Sequence, residues 1–262
     1  MRSYSATVEK IKCISFSLYG QNKKYLVGAL ENVKLAEQFF PDFYCYFFYN
    51  QTVPITYIQQ LEKGKNVRLL NMENSDIPPM MWRFTAIELP EVGLMLSRDT
   101  DSRLNYREKT IIEAWEKEPT SFLMIKDHPG SHGNPFLMGG LWAAKNVDQL
   151  NISQLIRTWL VEYKNKDKQA WGADQDFLMS KIYPLCANNL SYYDDYNINK
   201  VDYCQKISYP RENWHFIGEI FDENNRRDYH WKALRAHHWR SKGFLGYCFA
   251  KVANLFVPEW KP

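Results

Sequence analysis

Cysteine is scarce in this 262-residue chain: Cys13, Cys45, Cys186, Cys204 and Cys248 are scattered, and no two form a Cys-x-x-Cys pair. Five thiols leave one over in any disulfide scheme, so reduced, structural cysteines are expected, as in a cytosolic protein. Low-complexity tracts and internal repeats are absent. No apolar run reaches the roughly 18 residues expected of a spanning helix, and residues 1–12 lack the apolar core of a signal peptide. A cytoplasmic location is the expectation, and the sequons at Asn50, Asn151 and Asn189 then carry little meaning. Net charge is also low. A formal +3 is too little for a general nucleic-acid binder, no base-readout motif is visible, and no nucleic-acid partner is expected.

Aromatic residues, by contrast, are plentiful at 16%, which fits a large folded core or surfaces on which a ligand can stack. Lys10 to Ser17 alternates as a strand should and runs into the loop Leu18 to Lys24. Tyr25, Ala29, Val33, Ala36 and Phe40 then share one helical face, and Pro41 stops the run. Tyr44 to Tyr49 reads as a strand, the segment around Ile58 to Lys63 as a helix, and Val67 to Leu70 as a strand. Met80 to Ile87 reads as helical and Val92 to Leu96 as a fourth strand. Asn105 with Glu108 can cap a helix whose buried stripe is Ile111, Ile112 and Trp115. Phe122 to Ile125 is a further strand candidate, and Ile152 to Tyr163 is strongly amphipathic. Strands alternating with helices predict an α/β sandwich with a mixed, mainly parallel sheet.

The segment Val92-Gly-Leu-Met-Leu-Ser-Arg-Asp-Thr-Asp-Ser-Arg103 carries the chemistry: an apolar strand runs straight into Asp99 and Asp101. Ligands of parallel sheets gather beyond the carboxyl ends of the strands. Hard cations such as Mg²⁺ or Mn²⁺ bind there through one or two carboxylates plus substrate phosphates. A diphosphate-metal site is therefore expected. The bland alternative is a solvated acidic turn. An EF-hand is excluded, because Arg103 and Leu104 stand where an acid or amide and a glycine are required. A dehalogenase-type phosphatase also places Asp-x-Asp after a strand, but with a small residue where this chain has Arg103. A metal-dependent phosphohydrolase or phosphotransferase, and a non-catalytic membrane-associated module, are the alternative functions.

With these residues in place, the chain resembles glycosyltransferases of the GT-A fold, which bind a nucleotide-diphosphate sugar through a strand-end Asp-x-Asp and a divalent metal. Over roughly residues 10–220 it is similar to a group of viral and bacterial sugar transferases with an Arg-Asp-x-Asp-Ser-Arg motif. The resemblance implies a GT-A-like Rossmann-type α/β/α sandwich. It implies a UDP- or GDP-sugar donor and a glycan or lipid-linked acceptor. By the same likeness, Phe16, Tyr19 and Gly20 would hold base and ribose, Asp99 and Asp101 the Mn²⁺ or Mg²⁺, and Gly139 and Gly140 the sugar pocket. Trp171-Gly-Ala-Asp-Gln-Asp-Phe177 resembles the acidic motif near the reacting sugar. Asp174, with Asp176 as substitute, would be the base or electrostatic partner of the acceptor, an N-cap being the ordinary alternative. His215 resembles a third metal ligand that some members place before a Phe-x-Gly turn, against a plain structural histidine.

Other positions are weighed on their own chemistry. Arg83 and Arg98 could neutralise phosphate, or form ordinary salt bridges. Asp127, His128 and His132 sit in a Gly/Pro-rich loop, expected to close over donor or acceptor rather than to bind zinc. The basic cluster from Arg226 to Lys242, followed by the apolar run Phe244 to Val257, suggests a segment lying on an anionic membrane; a helix packed on the domain is the alternative. The expected division is a catalytic domain over residues 1–225 and a basic and apolar segment over 226–262.

Overall fold

A computed structural model describes residues 10–133, 136–147, 150–163 and 172–240. Eight strands form a single sheet: β1 (Ile11–Leu18), β2 (Phe43–Tyr49), β3 (Val67–Asn71), β4 (Val92–Arg98), β5 (Phe122–Lys126), β6 (Trp142–Lys145), β7 (Leu190–Asp194) and β8 (Cys204–Gln205). Their order across the sheet is β3-β2-β1-β4-β6-β5-β7-β8. All neighbours are parallel except β6, which runs antiparallel to both β4 and β5. The mixed, mainly parallel α/β sandwich is thus as expected from the sequence. Strands covered on both faces cannot alternate apolar with polar. β5 and β6 are buried at every position, and β4 at all but Gly93.

Helix α1 (Lys23–Phe39) follows β1, capped by Asn22, whose side chain accepts from the Lys24 N–H at 3.0 Å. Its buried stripe of Leu26, Ala29, Val33 and Ala36 lies on the sheet. α2 is Ile55–Leu61, α3 is Tyr106–Trp115 and α4 is Ile152–Glu162. Asn105 caps α3 through the Glu108 N–H at 2.9 Å, as its spacing predicts. The segment Pro79–Glu88, expected as an ordinary helix, is 3₁₀. Seven consecutive residues of it, Met81 to Ile87, are buried, a density that a one-sided α-helix could not provide. A helical run then begins with α5 (Ala173–Phe177), passes through a π turn at Leu178–Ile182 and ends in α6 (Tyr183–Cys186). The last described helix is α7 (His230–Arg240).

The two faces of the sheet are chemically distinct near its carboxyl edge. In the pairing of β1 with β4, Ser15 lies opposite Ser97 and Phe16 opposite Arg98. Side chains alternate between faces along a strand, so Ser15, Ser17 and Ser97 share one face. Each anchors main chain of the covering layer. Ser15 Oγ donates to the Arg83 carbonyl at 2.6 Å, Ser17 Oγ accepts from the Arg83 N–H at 3.0 Å, and Ser97 Oγ donates to the Gly139 carbonyl at 2.6 Å. The opposite face carries Phe16, stacked on Phe47 with ring centres 4.9 Å apart, and Arg98, paired with Glu108 of α3.

Among the described residues, no helix is long and apolar enough to cross a membrane. α7 buries Leu234 and Ala236, and its His237 and His238 rings meet Tyr196 and Trp214 at 5.2 and 5.1 Å. Its described part therefore packs on the domain. The apolar run Phe244 to Val257 lies outside the described residues.

Candidate active site

Parallel strands deliver their following loops to one edge. Tyr19 and Gly20 leave β1 there, Asp99 leaves β4 and Asp127 leaves β5. Because β6 is reversed, the residues before it, Gly139 and Gly140, arrive at the same edge. These loops and α5 bring together the acids singled out in the sequence.

Arg83 is the hub. Its guanidinium pairs with Asp99 through Nη1 and with Asp174 Oδ2 through Nη2 at 2.9 Å, while the residue is only 6% exposed. Burial alone would lower its pKa, but the two carboxylates outweigh that and raise it. Asp174, at the start of α5, is itself buried; desolvation raises its carboxyl pKa, with Arg83 opposing. It does not cap the helix, because the N-cap position is Gly172, at φ +91°. The glycines make this packing possible. An added Cβ on Gly139 would lie 2.5 Å from Arg83 Nη2, and one on Gly140 would lie 2.6 Å from Asp99 Cγ. Neither position can hold a larger residue without moving the charged groups.

Asp101 faces α1. Lys24 Nζ stands 2.6 Å from Asp101 Oδ2, and the carboxyl is pushed up first by burial and then by the charge of Asp99, against the pull of Lys24. The turn between the two acids is clamped from behind. Asn32 Nδ2 donates to the carbonyls of Thr100 at 3.2 Å and Ser102 at 2.8 Å, and Asn32 Oδ1 accepts from the Leu104 N–H at 3.1 Å. One helical turn earlier, Gly28 lets the turn press onto α1; a Cβ there would fall 2.9 Å from Thr100 C and from Arg103 Nη1. From the other side, the Phe221 N–H donates to the Asp101 carbonyl at 2.9 Å.

Several expected residues stand elsewhere. Phe16 is fully buried in the core, so it cannot touch a base; of the three residues expected there, Tyr19 (40% exposed) and Gly20 (φ +75°) are accessible at that loop. Arg98 is 2% exposed, paired with Glu108 and donating to the Ser97 and Trp142 carbonyls, so a phosphate role is corrected to a structural one. Asp176 points outward and accepts from the Tyr163 hydroxyl at 2.8 Å, away from the Arg83 cluster. His215 is held by Glu219 at 2.6 Å rather than by the acidic pair. It lines a separate cavity of about 620 Å³ between α1, α3 and the 209–225 segment, to which neither Asp99 nor Asp101 contributes.

The loop after β5 is anchored rather than open in its described part. Asp127 is fully buried and receives Arg107 at 2.9 Å twice, together with Arg211 and the Ile217 N–H. His132 Nδ1 accepts from the Asp127 N–H, and His128 Nδ1 from the N–H groups of Gly130 and Ser131. Both imidazoles are buried and pushed down, His128 to about 4.

Among the described residues, no three His, Cys, Asp or Glu side chains stand together as a complete metal cage. The donor set that is present, two oxygen ligands on one turn, fits a hard cation that completes its shell with substrate phosphate and water. Charge agrees. Asp99, Asp101 and Asp174 against Arg83 and Lys24 are three negative groups to two positive, leaving −1.

Sequence reasoning missed Lys24, Gly28, Asn32 and the serines Ser15, Ser17 and Ser97. A signal existed for two of them: Gly28 and Asn32 are four residues apart in α1, a small and a polar residue sharing one side of an otherwise amphipathic helix.

No protein-family model matches the chain, and no curated protein sequence matches it. Solved structures of similar shape include the galactosyltransferase LgtC in complex with donor and acceptor sugar analogs. That match has 15% identity, 70% of this chain and 74% of that one covered, and a TM-score of 0.49. The mannosyltransferase PcManGT of Pyrobaculum calidifontis, in complex with GDP-Man and Mn²⁺, is 12% identical over 98% of this chain and 67% of its own, with a TM-score of 0.47. The 4-diphosphocytidyl-2C-methyl-D-erythritol synthase of Anaerococcus prevotii is 14% identical over 65% and 83%, with a TM-score of 0.42. The fold class of this chain is an α/β/α sandwich around a mixed, mainly parallel sheet.

Proposed function

We propose that the protein transfers a sugar from a nucleotide-diphosphate sugar to a glycan or lipid-linked acceptor, with Asp99 and Asp101 holding Mn²⁺ or Mg²⁺. One observation carries this reading. The acids of the strand-end turn share the carboxyl edge of the sheet with Asp174, and a buried arginine ties Asp174 to the first of them, Asp99, across the Gly139-Gly140 floor. A divalent cation bound there would stabilise negative charge that grows on the leaving diphosphate.

The protein's own groups have separable tasks. Tyr19 and Gly20, at the open end of β1, would take base and ribose, Tyr19 being 40% exposed there. Gly139 and Gly140 let the charged groups of Asp99, Asp174 and Arg83 pack against the chain, where they would border the sugar. Arg83 bonds both Asp99 and Asp174 and so holds the two carboxylates beside each other. Asp174 takes the acceptor proton if configuration inverts, or steadies the positive sugar ring if it is retained. The basic and apolar segment over 226–262 would bring the enzyme to a membrane that holds a lipid-linked acceptor.

A thermal-shift panel of nucleoside diphosphates, with and without Mn²⁺, tests the donor class, since a ligand specific to the folded state raises its melting temperature. UDP or GDP with Mn²⁺ should give the largest shift, and Asp101→Ala should remove it while the protein stays folded. A flat response across the panel refutes the proposal.

A further inference from the structure

The two acids of the strand-end turn are matched by two cations of very different freedom. Arg83 cannot leave. Its guanidinium bonds two carboxylates, its main chain is fixed by Ser15 and Ser17, and Gly139 closes against Nη2. Lys24 can leave. Its side chain is 27% exposed, and among the described residues its ammonium meets Asp101 and the ring of Tyr25, the latter at 4.7 Å. It projects from the first turn of α1 onto the acidic turn. A lysine is a point charge on a flexible four-carbon stem, suited to changing partners over a few ångströms, whereas a forked arginine is not.

Charge counting gives the direction of exchange. With Lys24 in place, the cluster carries −1. Without it, three carboxylates face Arg83 alone and the cluster carries −2, which one divalent cation cancels. A cation binding Asp101 through Oδ2 would take the oxygen that the ammonium now occupies, and one bound through Oδ1 would still repel the adjacent ammonium. Displacement would free a positive charge beside the acidic turn, where it could meet the phosphates of a donor held there. Lysine is a natural partner of such a group.

We propose that Lys24 is an exchangeable counter-cation: it neutralises Asp101 until a divalent ion replaces it, and then turns onto the diphosphate of the donor. The second half rests on the glycosyl-transfer reading; the first does not. The test uses the full chain with Lys24→Met, and with Lys23→Met as a control, since Lys23 is exposed one position away. Binding of Mn²⁺ alone is followed by its electron paramagnetic resonance, and binding of UDP and GDP at saturating Mn²⁺ by calorimetry. Circular dichroism checks the fold.

Lys24→Met should bind Mn²⁺ alone about tenfold more tightly than the unaltered protein, while its UDP or GDP affinity falls about tenfold; Lys23→Met should match the unaltered protein in both. Equal or weaker Mn²⁺ binding by Lys24→Met overturns the exchange. Unchanged nucleotide affinity overturns the diphosphate contact. If Mn²⁺ binding tightens as expected but the unaltered protein binds no nucleotide, the exchange stands and the glycosyl-transfer reading, with the diphosphate contact, falls.

Discussion

Gly140 backs directly onto Asp99: a single methyl group added at the glycine would press to within 2.6 Å of the carboxyl carbon. The contact joins the residues just before the reversed strand β6 to the first acid after β4. A Gly140→Ala protein should keep its circular dichroism spectrum and lose Mn²⁺-dependent nucleotide binding by about tenfold or more, because the acid is half-exposed and will swing away before the backbone yields. Gly139→Ala should act on Asp174 and Arg83 in the same way. Calorimetric titration with UDP or GDP in Mn²⁺ measures both, and normal binding by either variant contradicts the close-packing account.

Asp174 and Asp176 lie two residues apart and should behave oppositely. Asp174→Asn leaves Arg83 with one carboxylate and should lower turnover by about a hundredfold, a scale typical of losing an acid-base group. Asp176→Asn loses only the surface bond from Tyr163 and should leave turnover within about twofold. Donor hydrolysis assays on the two proteins provide the comparison, and an equal loss in both would contradict the placement.

The pair Arg98–Glu108 predicts a stability effect without a binding effect. Both side chains are 2% exposed, so removing one leaves the other charged and alone in the core. Arg98→Met should cost about 3 kcal/mol in urea unfolding, while the double replacement Arg98→Met with Glu108→Met should recover most of it. Nucleotide affinity should not change in either folded protein.

Acid should weaken the fold through His128 and His132. Burial depresses both imidazoles, so the unfolded chain binds more protons than the native one below the ordinary value of 6.5. Their contribution is fully present above pH 6.5 and is lost as pH falls toward 4. For His128 alone that amounts to about 3 kcal/mol. Urea unfolding between pH 7.5 and 4.5 should show a shallower decline in His128→Asn, whose side-chain oxygen can replace Nδ1 as acceptor for Gly130 and Ser131. A parallel decline in both proteins would exclude the assignment.

The sequence made the first half of the sheet legible because β1 to β4 are apolar runs punctuated by capped helices, and Asp99 and Asp101 follow the last of these directly. It did not disclose β6 or β7, because their four- and five-residue lengths, buried on both faces, leave no periodicity to read. Phe16 and Arg98 misled for a shared reason. They lie opposite each other in the pairing of β1 with β4, on the face away from the acids, and alternation along a strand decides which face a residue serves. Asp174 was readable as an acid at a helix start. Its link to Asp99 depends on Arg83, from a 3₁₀ segment whose placement rests on serine hydroxyls of β1. Such an arrangement has no local signature.

The direction of β6 has a practical corollary for altering this molecule. A strand running against its neighbours sends its leading connection to the opposite rim from its trailing one. Changes of length between Asp127 and Met138 will therefore be felt by whatever binds beside Asp99, whereas those just after Lys145 emerge at the far rim. Changes meant to act beside Asp99 belong in the former, sparing the buried Asp127, His128 and His132; affinity tags and surface anchors belong in the latter.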